Sequence, residues 1–245
     1  MGSTNASTTD AMDVQALTFD VFGTVVDWRG SLIREGELFT RCKDIQVDWA
    51  AFADAWRGLY QPLMERVRSG QLPWTKLDDL HRMGLDSLLP RFGLAGLAEA
   101  EIAELNHAWH RLDPWPDAVE GLTRLKRKYV LATLSNGNVA LLVNMAKRAG
   151  LPWDAVLGAE VARAYKPQPE AYKRTADFLG LAPEQCMMVA AHGGDLKAAA
   201  ACGFRTAFVS RPLEHGPGKA GDAGEVGNWD VKARDFTDLA RQLGC

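Results

Sequence analysis

The 245-residue chain reads as an α/β protein, a doubly wound parallel sheet that carries one all-helical insertion. Three observations predict this. Five short apolar runs have the length and composition of strands buried in a parallel sheet. Between them lie helical patterns that end on glycine, the residue that closes a helix by entering the left-handed region without a Cβ penalty. One long stretch, from about residue 32 to residue 111, has helical periodicity and no convincing strand.

In chain order, "MGSTNASTTDAMD" (1–13) is polar and reads as a mobile N-terminus. It lacks the basic start and apolar middle of an export signal, so the glycosylation pattern Asn5-Ala6-Ser7 within it is read as a polar segment. "ALTF" (16–19) is the first strand, and the core is expected to span 14–31 and 112–245. The insertion, 32–111, forms a helical cap, carried by "WAAFADAWRGLYQPLMERVRSG" and "AEAEIAELNHAWHRL". "DPWPDA" (113–118) has the turn chemistry expected where the chain re-enters the core. "YVLATL" (129–134) is the second strand, followed by the helix "NVALLVNMAKRAG", which ends at Gly150. "AVLGA" (155–159) is the third, and the helix "PEAYKRTADFLG" ends at Gly180. "CMMVAA" (186–191) and "RTAFVS" (205–210) complete the five. "RPLEHGPGKAGDAGEVGN", rich in Gly, Pro and charge, reads as a surface loop able to edge a site.

Composition narrows the function. A net charge of −3 without any Lys/Arg block argues against nucleic acid or an anionic membrane surface as partner. No apolar run approaches the ~18 residues of a membrane span, and the expected location is cytoplasmic. Cys42, Cys186, Cys202 and Cys245 are scattered without CxxC spacing, so neither a zinc site nor a disulfide framework is suggested. A small-molecule role is the default, and apolar cap surface makes a homodimer a possible assembly.

In open α/β sheets ligands bind outside the carboxyl ends of the strands, so the residues that follow each apolar run carry the information. They are Asp20 and Thr24, then Ser135 and Asn136, then Lys166, then His192 and Asp195. Two carboxylates, an ammonium, an imidazole, hydroxyls and an amide converge there. That is a catalytic constellation.

The segments "FDVFGTVVD", "LSNGN", "YKPQPEAY" and "VAAHGGD" resemble, in order and spacing, the four motifs of the haloacid dehalogenase superfamily, and more narrowly the type II L-2-haloacid dehalogenases. The resemblance implies a Rossmann-like core under a helical cap. It also implies a two-step hydrolysis of short (S)-2-haloacids to 2-hydroxy acids, with the haloacid and water as the only partners. Asp20 would displace halide with inversion and form an ester, and water would then attack the Asp20 carbonyl. Lys166 would keep Asp20 ionised. Thr24 and Ser135 would orient Asp20 and the substrate carboxylate, Arg57 and Asn136 would receive the halide, and Tyr172 would lie near the substrate. Asp195 would position or deprotonate the hydrolytic water, with His192 beside it.

Phosphatases of the superfamily carry a second Asp two residues after the nucleophile, as acid and base for an alkoxide leaving group. Here that position is Phe22, and a halide leaves without a proton. Phe22, His192 and Ala199 also remove oxygen ligands that a hard cation would want, so neither metal nor other cofactor is expected. The alternatives, a magnesium-dependent phosphatase or a non-catalytic binding protein, are disfavoured by Phe22 and by the joint presence of Asp20, Lys166 and Asp195. The chain departs from the family at Ala190 and His192, where Ser and Asn are frequent, and at Gly194, where an aromatic is frequent. An altered halide cradle follows, with less discrimination against small halogens, fluoride included. His81, His107, His110 and His215 are expected on solvated or cap faces, and Trp56, Trp109 and Trp115 in cap packing.

Overall fold

A computed structural model describes residues 13–43, 45–219 and 227–245. The N-terminal segment expected to be mobile, with its Asn5 pattern, lies outside the described residues except for Asp13. The sheet strands are β1 (Ala16–Phe19), β4 (Val130–Ser135), β5 (Ala155–Gly158), β6 (Cys186–Ala190), β7 (Arg205–Val209) and β8 (Val231–Ala233). They pair in the order β5-β4-β1-β6-β7-β8, all parallel. β1 lies between β4 and β6, with Phe19 opposite Thr133 on one side and Val189 on the other.

Every residue of β1 and β6 is buried, as expected of central strands covered on both faces. Alternate residues serve different layers. Leu17 and Phe19 join an apolar cluster with Leu122 and Leu125 of α6 (Ala118–Leu125), Leu141 and Met145 of α7 (Val139–Ala149) and Leu239 of α11 (Phe236–Gln242). Ala16 faces the other layer, with Tyr172 of α9 (Pro169–Leu179) and Leu196 of α10 (Gly193–Ala201). The buried hydroxyl of Thr133 donates to the Leu157 carbonyl at 2.7 Å, which spares it an unpaired polar group. α7 and α9 do close on left-handed Gly150 and Gly180. Gly158, with φ +130°, lies so close to β4 that a Cβ there would stand 2.2 Å from the Ser135 carbonyl oxygen.

The insertion holds α1 (Trp28–Thr40), α2 (Trp49–Gly58), α3 (Tyr60–Arg68), α4 (Leu77–Leu88) and α5 (Glu99–Asn106). Its neck is a two-stranded antiparallel ribbon, β2 (Val26–Asp27) against β3 (Asp113–Pro114). α1 therefore starts four residues before the expected boundary at residue 32, because Asp27 caps it by accepting from Gly30 N at 2.8 Å. Apolar packing is continuous across the neck, since Trp56, Met64, Leu80 and Trp109 belong to the same cluster as Leu17 and Phe19. The short helix α8 (Ala159–Ala162) completes the set. No helix among the described residues is long and apolar enough to cross a membrane.

Several expectations are corrected. The sheet has a sixth strand, β8, followed by α11, which the five apolar runs did not announce. Of the histidines expected on solvated or cap faces, His81 and His110 are buried within the insertion. His81 stacks on Trp109 with ring centroids 4.1 Å apart, and burial pushes its pKa down to about 3, so it is a neutral packing residue. His110 Nε2 meets Asp78 Oδ1 at 3.0 Å. Trp56 and Trp109 do pack within the insertion, at 5.5 Å, whereas the Trp115 indole donates to the Gly23 carbonyl at the neck.

Asp78 joins the insertion to the core. Its carboxylate accepts from Asn138 Nδ2 at 2.8 Å, its backbone N–H donates to Asn138 Oδ1, and its carbonyl accepts from Asn106 Nδ2. Asp78→Ala keeps the two backbone bonds but strands the two buried partners of the carboxylate, Asn138 Nδ2 and His110 Nε2, so it should cost about 2–3 kcal/mol in equilibrium denaturation. A loss below ~0.5 kcal/mol would mean that water replaces these bonds without penalty.

Candidate active site

Asp20 follows β1 directly and is buried, at 7% exposure, at the carboxyl edge of the sheet. Both of its oxygens are held. Oδ1 accepts from Lys166 Nζ at 2.9 Å. Oδ2 accepts from Thr24 Oγ1 at 2.7 Å and lies 3.0 Å from His192 Nδ1. The Thr24 hydroxyl in turn accepts from Ala191 N at 2.9 Å, tying the loop after β1 to the end of β6.

Lys166 arrives on the loop after α8 and is gripped on both sides of its backbone. Its N–H donates to Asn136 Oδ1 at 2.8 Å, and its carbonyl accepts from Arg68 Nη1, on α3, at 2.9 Å. Its ammonium also bonds Asp195 Oδ2. The other oxygen of Asp195 accepts from the Tyr172 hydroxyl at 2.6 Å. His192 Nε2 lies 3.0 Å from both oxygens of Glu214, and Glu214 Oε1 accepts from the Trp28 indole at 3.1 Å.

The charges set one another. Burial opposes ionisation of Asp20, but Lys166 and then His192 outweigh it and hold the carboxyl far below the ordinary range. Burial would also discharge Lys166, yet Asp195 and Asp20 raise its pKa instead. Burial is opposed in the same way at His192, where hydrogen bonds to Asp20 and Glu214 push the imidazole up to about 10. Asp195 moves upward, chiefly by burial. Glu214 is held low, because His192 outweighs its burial. At neutral pH the site therefore holds an aspartate, an ammonium and an imidazolium in one connected array.

This fixes a pH dependence. A group raised from 6.5 to about 10 on folding stabilises the fold fully below about pH 6.5, and that contribution is lost as pH rises through about 10. The denaturation midpoint of His192→Gln should thus fall short of the parent at pH 6 by more than at pH 10.5. An equal deficit at both values would exclude a charged His192.

A cavity of about 730 Å³ opens over the array, lined by Asp20, Phe22, Asn136, Lys166, Tyr172, His192, Gly194 and Asp195 from the core side and by Arg57 and Tyr60 from the insertion. Phe22 is a wall, edge-on to Tyr60 and Trp109 with centroids 6.3 and 5.9 Å away. The Arg57 guanidinium lies 4.1 Å from the Tyr60 ring and 5.3 Å from the Trp28 ring, and its buried Nη1 has no hydrogen-bond partner. A buried guanidinium nitrogen without a partner, on a side chain that lines the cavity against two aromatic rings, is suited to an anionic ligand. A Cβ built on Gly194 would meet nothing within 4 Å, so that side of the cavity is open.

Eight of the ten residues expected in the site line this cavity, and Thr24 stands behind it, bonded to Asp20. Ser135 does not line the cavity; its hydroxyl accepts from Gly137 N at 3.1 Å and shapes the turn that presents Asn136. Glu214, Arg68, Tyr60 and Trp28 were not foreseen. Only Glu214 left a signal, as the first of three acids in a loop marked as able to edge a site. Among the described residues no cluster of three or more His, Cys, Asp or Glu side chains is arranged to hold a metal ion.

Comparison with known proteins adds an independent line. The family of haloacid dehalogenase-like hydrolases matches residues 14–203. An (S)-2-haloacid dehalogenase from Xanthobacter autotrophicus is 29% identical over 210 residues, 81% of this chain and 76% of the relative. A solved L-2-haloacid dehalogenase superimposes with a TM-score of 0.91 at 48% identity, covering 94% of this chain and 99% of that one. A solved defluorinating L-2-haloacid dehalogenase gives 0.92 at 49% identity, covering 95% and 96%.

Proposed function

The chain belongs to the haloacid dehalogenase-like hydrolases, and from that membership we propose that it hydrolyses short (S)-2-haloacids to 2-hydroxy acids through an ester on Asp20, without metal or other cofactor. One observation carries this reading. An aspartate held ionised by Lys166 shares a cavity with Arg57, whose buried Nη1 has no hydrogen-bond partner, and an apolar ring, Phe22, stands where an alkoxide leaving group would need an acid.

In the first step an Asp20 carboxylate oxygen forms a bond to C2 as the carbon–halogen bond breaks. Arg57 meets the charge growing on the halide. Asn136 helps, since its Oδ1 is occupied by Lys166 N–H and its amide nitrogen, which also bonds Tyr60, is the end that carries donors into the cavity. Thr24 fixes the attacking carboxylate. In the second step water adds to Asp20 Cγ, and Lys166, 2.9 Å from Oδ1, meets the charge that develops on the carboxyl. Asp195 and Tyr172 keep the ammonium in place. The free haloacid and water are the partners, and the four free thiols fit a reducing, cytoplasmic setting.

The expected result is halide release from (S)-2-chloropropionate, not from its enantiomer, unchanged by prolonged chelation. An aryl phosphate offered with magnesium should be inert. Chelator-sensitive turnover, or phosphate release, would favour the phosphatase reading. The open space at Gly194 extends the proposal to small halogens. Fluoroacetate should be turned over in the same assay, and Gly194→Phe should shift preference toward bromide.

A further inference from the structure

Lys166 stands between Asp20 and Asp195 without a helix or strand of its own, on the irregular segment that joins α8 to α9. Its stem is a flexible four-carbon chain, so whatever holds its backbone helps to place its charge. The core supplies one contact, since the Lys166 N–H donates to Asn136 Oδ1. The insertion supplies the other, since Arg68 Nη1 donates to the Lys166 carbonyl.

Arg68 is oriented for that contact. It is the last residue of α3, its side chain is only 12% exposed, and each of its three nitrogens donates to an oxygen. Nε donates to Glu65 Oε2 at 2.8 Å and Nη2 to Gln61 Oε1 at 3.3 Å, while Nη1 takes the Lys166 carbonyl at 2.9 Å. Two acceptors on its own helix thus set the plane of the guanidinium and leave one edge aimed at the core.

The segment that carries Lys166 meets the insertion twice more. Arg163, in the left-handed region with φ 54°, has its guanidinium 5.1 Å from the Trp74 ring. Tyr165 is buried and stacks on the same ring at 4.9 Å, and its hydroxyl donates to the Thr75 carbonyl at 2.7 Å. Arg163, Tyr165 and Lys166 are therefore held against one short stretch of the insertion, from Arg68 to Thr75.

Building on the dehalogenase reading, we propose that Arg68 is a positioning residue for the attack by Asp20: it fixes the Lys166 backbone from the insertion, so that the ammonium stands between Asp20 and Asp195 only while the insertion is seated on the core. Arg57, which meets the halide, is carried on α2, directly before α3. Both contributions of the insertion then arrive together. The other groups that hold the Asp20 carboxylate, His192 and Thr24, belong to the core, and Tyr60 and Asp195 lie within reach of its charge. Arg68 reaches Asp20 through Lys166.

The test is rapid-quench halide release from (S)-2-chloropropionate by Arg68→Met, Arg68→Lys, Lys166→Met and the double variant Arg68→Met/Lys166→Met, with amide hydrogen exchange of the same proteins read by mass. In Arg68→Met the maximal rate of the halide burst should fall roughly 10–100-fold, while the haloacid concentration that half-saturates it stays within about 3-fold of the parent. The acid limb of the burst should move upward, as Asp20 loses part of its hold on the ammonium. The double variant should be within about 2-fold of Lys166→Met, because a residue that acts through Lys166 has nothing left to act on. Exchange should quicken over residues 163–168 and not in β1 or β6, and Arg68→Lys should recover part of the burst.

A parent-like burst in Arg68→Met overturns the proposal. So do losses that add in the double variant, and so does faster exchange throughout the core, which marks a structural role. A raised half-saturating concentration at an unchanged maximal rate also overturns it, since Arg68 would then bind the substrate carboxylate directly. Where Lys166→Met is too slow to time, the acid limb of Arg68→Met decides, and an unmoved limb overturns the proposal. Absence of a halide burst in the parent would overturn the dehalogenase reading itself, whereas faster exchange at 163–168 with an unchanged burst would overturn this proposal alone.

Discussion

Asp20→Asn is expected to fold and to release no halide, a loss of at least ~10⁴-fold in turnover. The amide keeps the shape of the carboxylate and a hydrogen-bond acceptor for Thr24, so the loop after β1 should survive. Nucleophilicity should not, because the carbon–halogen bond is attacked by the charge that Lys166 and His192 hold in place. The companion experiment follows the oxygen. In a single turnover of the parent in heavy-oxygen water, the label should enter Asp20, and the product should carry it only in later turnovers. Label in the first product would mean that water attacks C2 directly, which would return Asp20 to the role of a base.

Lys166→Met has the second-largest expected effect, and it acts on stability as well as rate. Lys166 bridges two buried carboxylates, Asp20 and Asp195, each about 10% exposed in its side chain. Without it, like charges face each other in a site that water enters poorly, and breaking a buried pair in this way costs about 3–5 kcal/mol at neutral pH. The sign can be stated. Asp20 is held below its unfolded pKa of 3.8, so its contribution to stability is present above that value and is lost as pH falls through the folded one. Removing Lys166 raises the folded carboxyl pKa values, and one carboxyl will then take up a proton at mildly acid pH. The stability deficit of Lys166→Met should therefore shrink between pH 7 and pH 5. Ester formation should slow by about 10³-fold, with its acid limb moved upward as Asp20 becomes harder to ionise. A deficit independent of pH, or an unmoved limb, would show that Lys166 merely fills space. Lys166→Arg should rescue poorly, since a planar fork does not replace a point charge with one carboxylate on either side.

Fold and site were legible to different depths, for reasons visible at individual residues. β1, β4, β6 and β7 could be read because each is buried from end to end or nearly so, and covered strands must be written in apolar residues; β5, only partly buried, is still an apolar run. β8 could not, since three residues, Val-Lys-Ala, with the lysine exposed, make no run. Which of solvent or cap His81 and His110 would face could not be read, because residue type favours solvent, whereas the ring of Trp109 and the carboxylate of Asp78 made burial tolerable.

The sequence alone determined which residues stand at the carboxyl edge. In a parallel sheet, the position after each buried run is fixed by the run itself, and Asp20, Asn136, Lys166, His192 and Asp195 were placed by counting from their strands. Tertiary structure decided how these groups divide their bonds. Glu214 reaches His192 across 22 residues of chain that include α10 and β7, and Arg68 reaches the Lys166 carbonyl across 98 residues and from the insertion to the core. No periodicity encodes such a contact, because it depends on where a chain folded elsewhere returns in space. The same holds for the charges: an aspartate held ionised and an imidazole raised to about 10 are properties of burial and neighbours, which exist only once β1, β6 and the loop after β7 have come together.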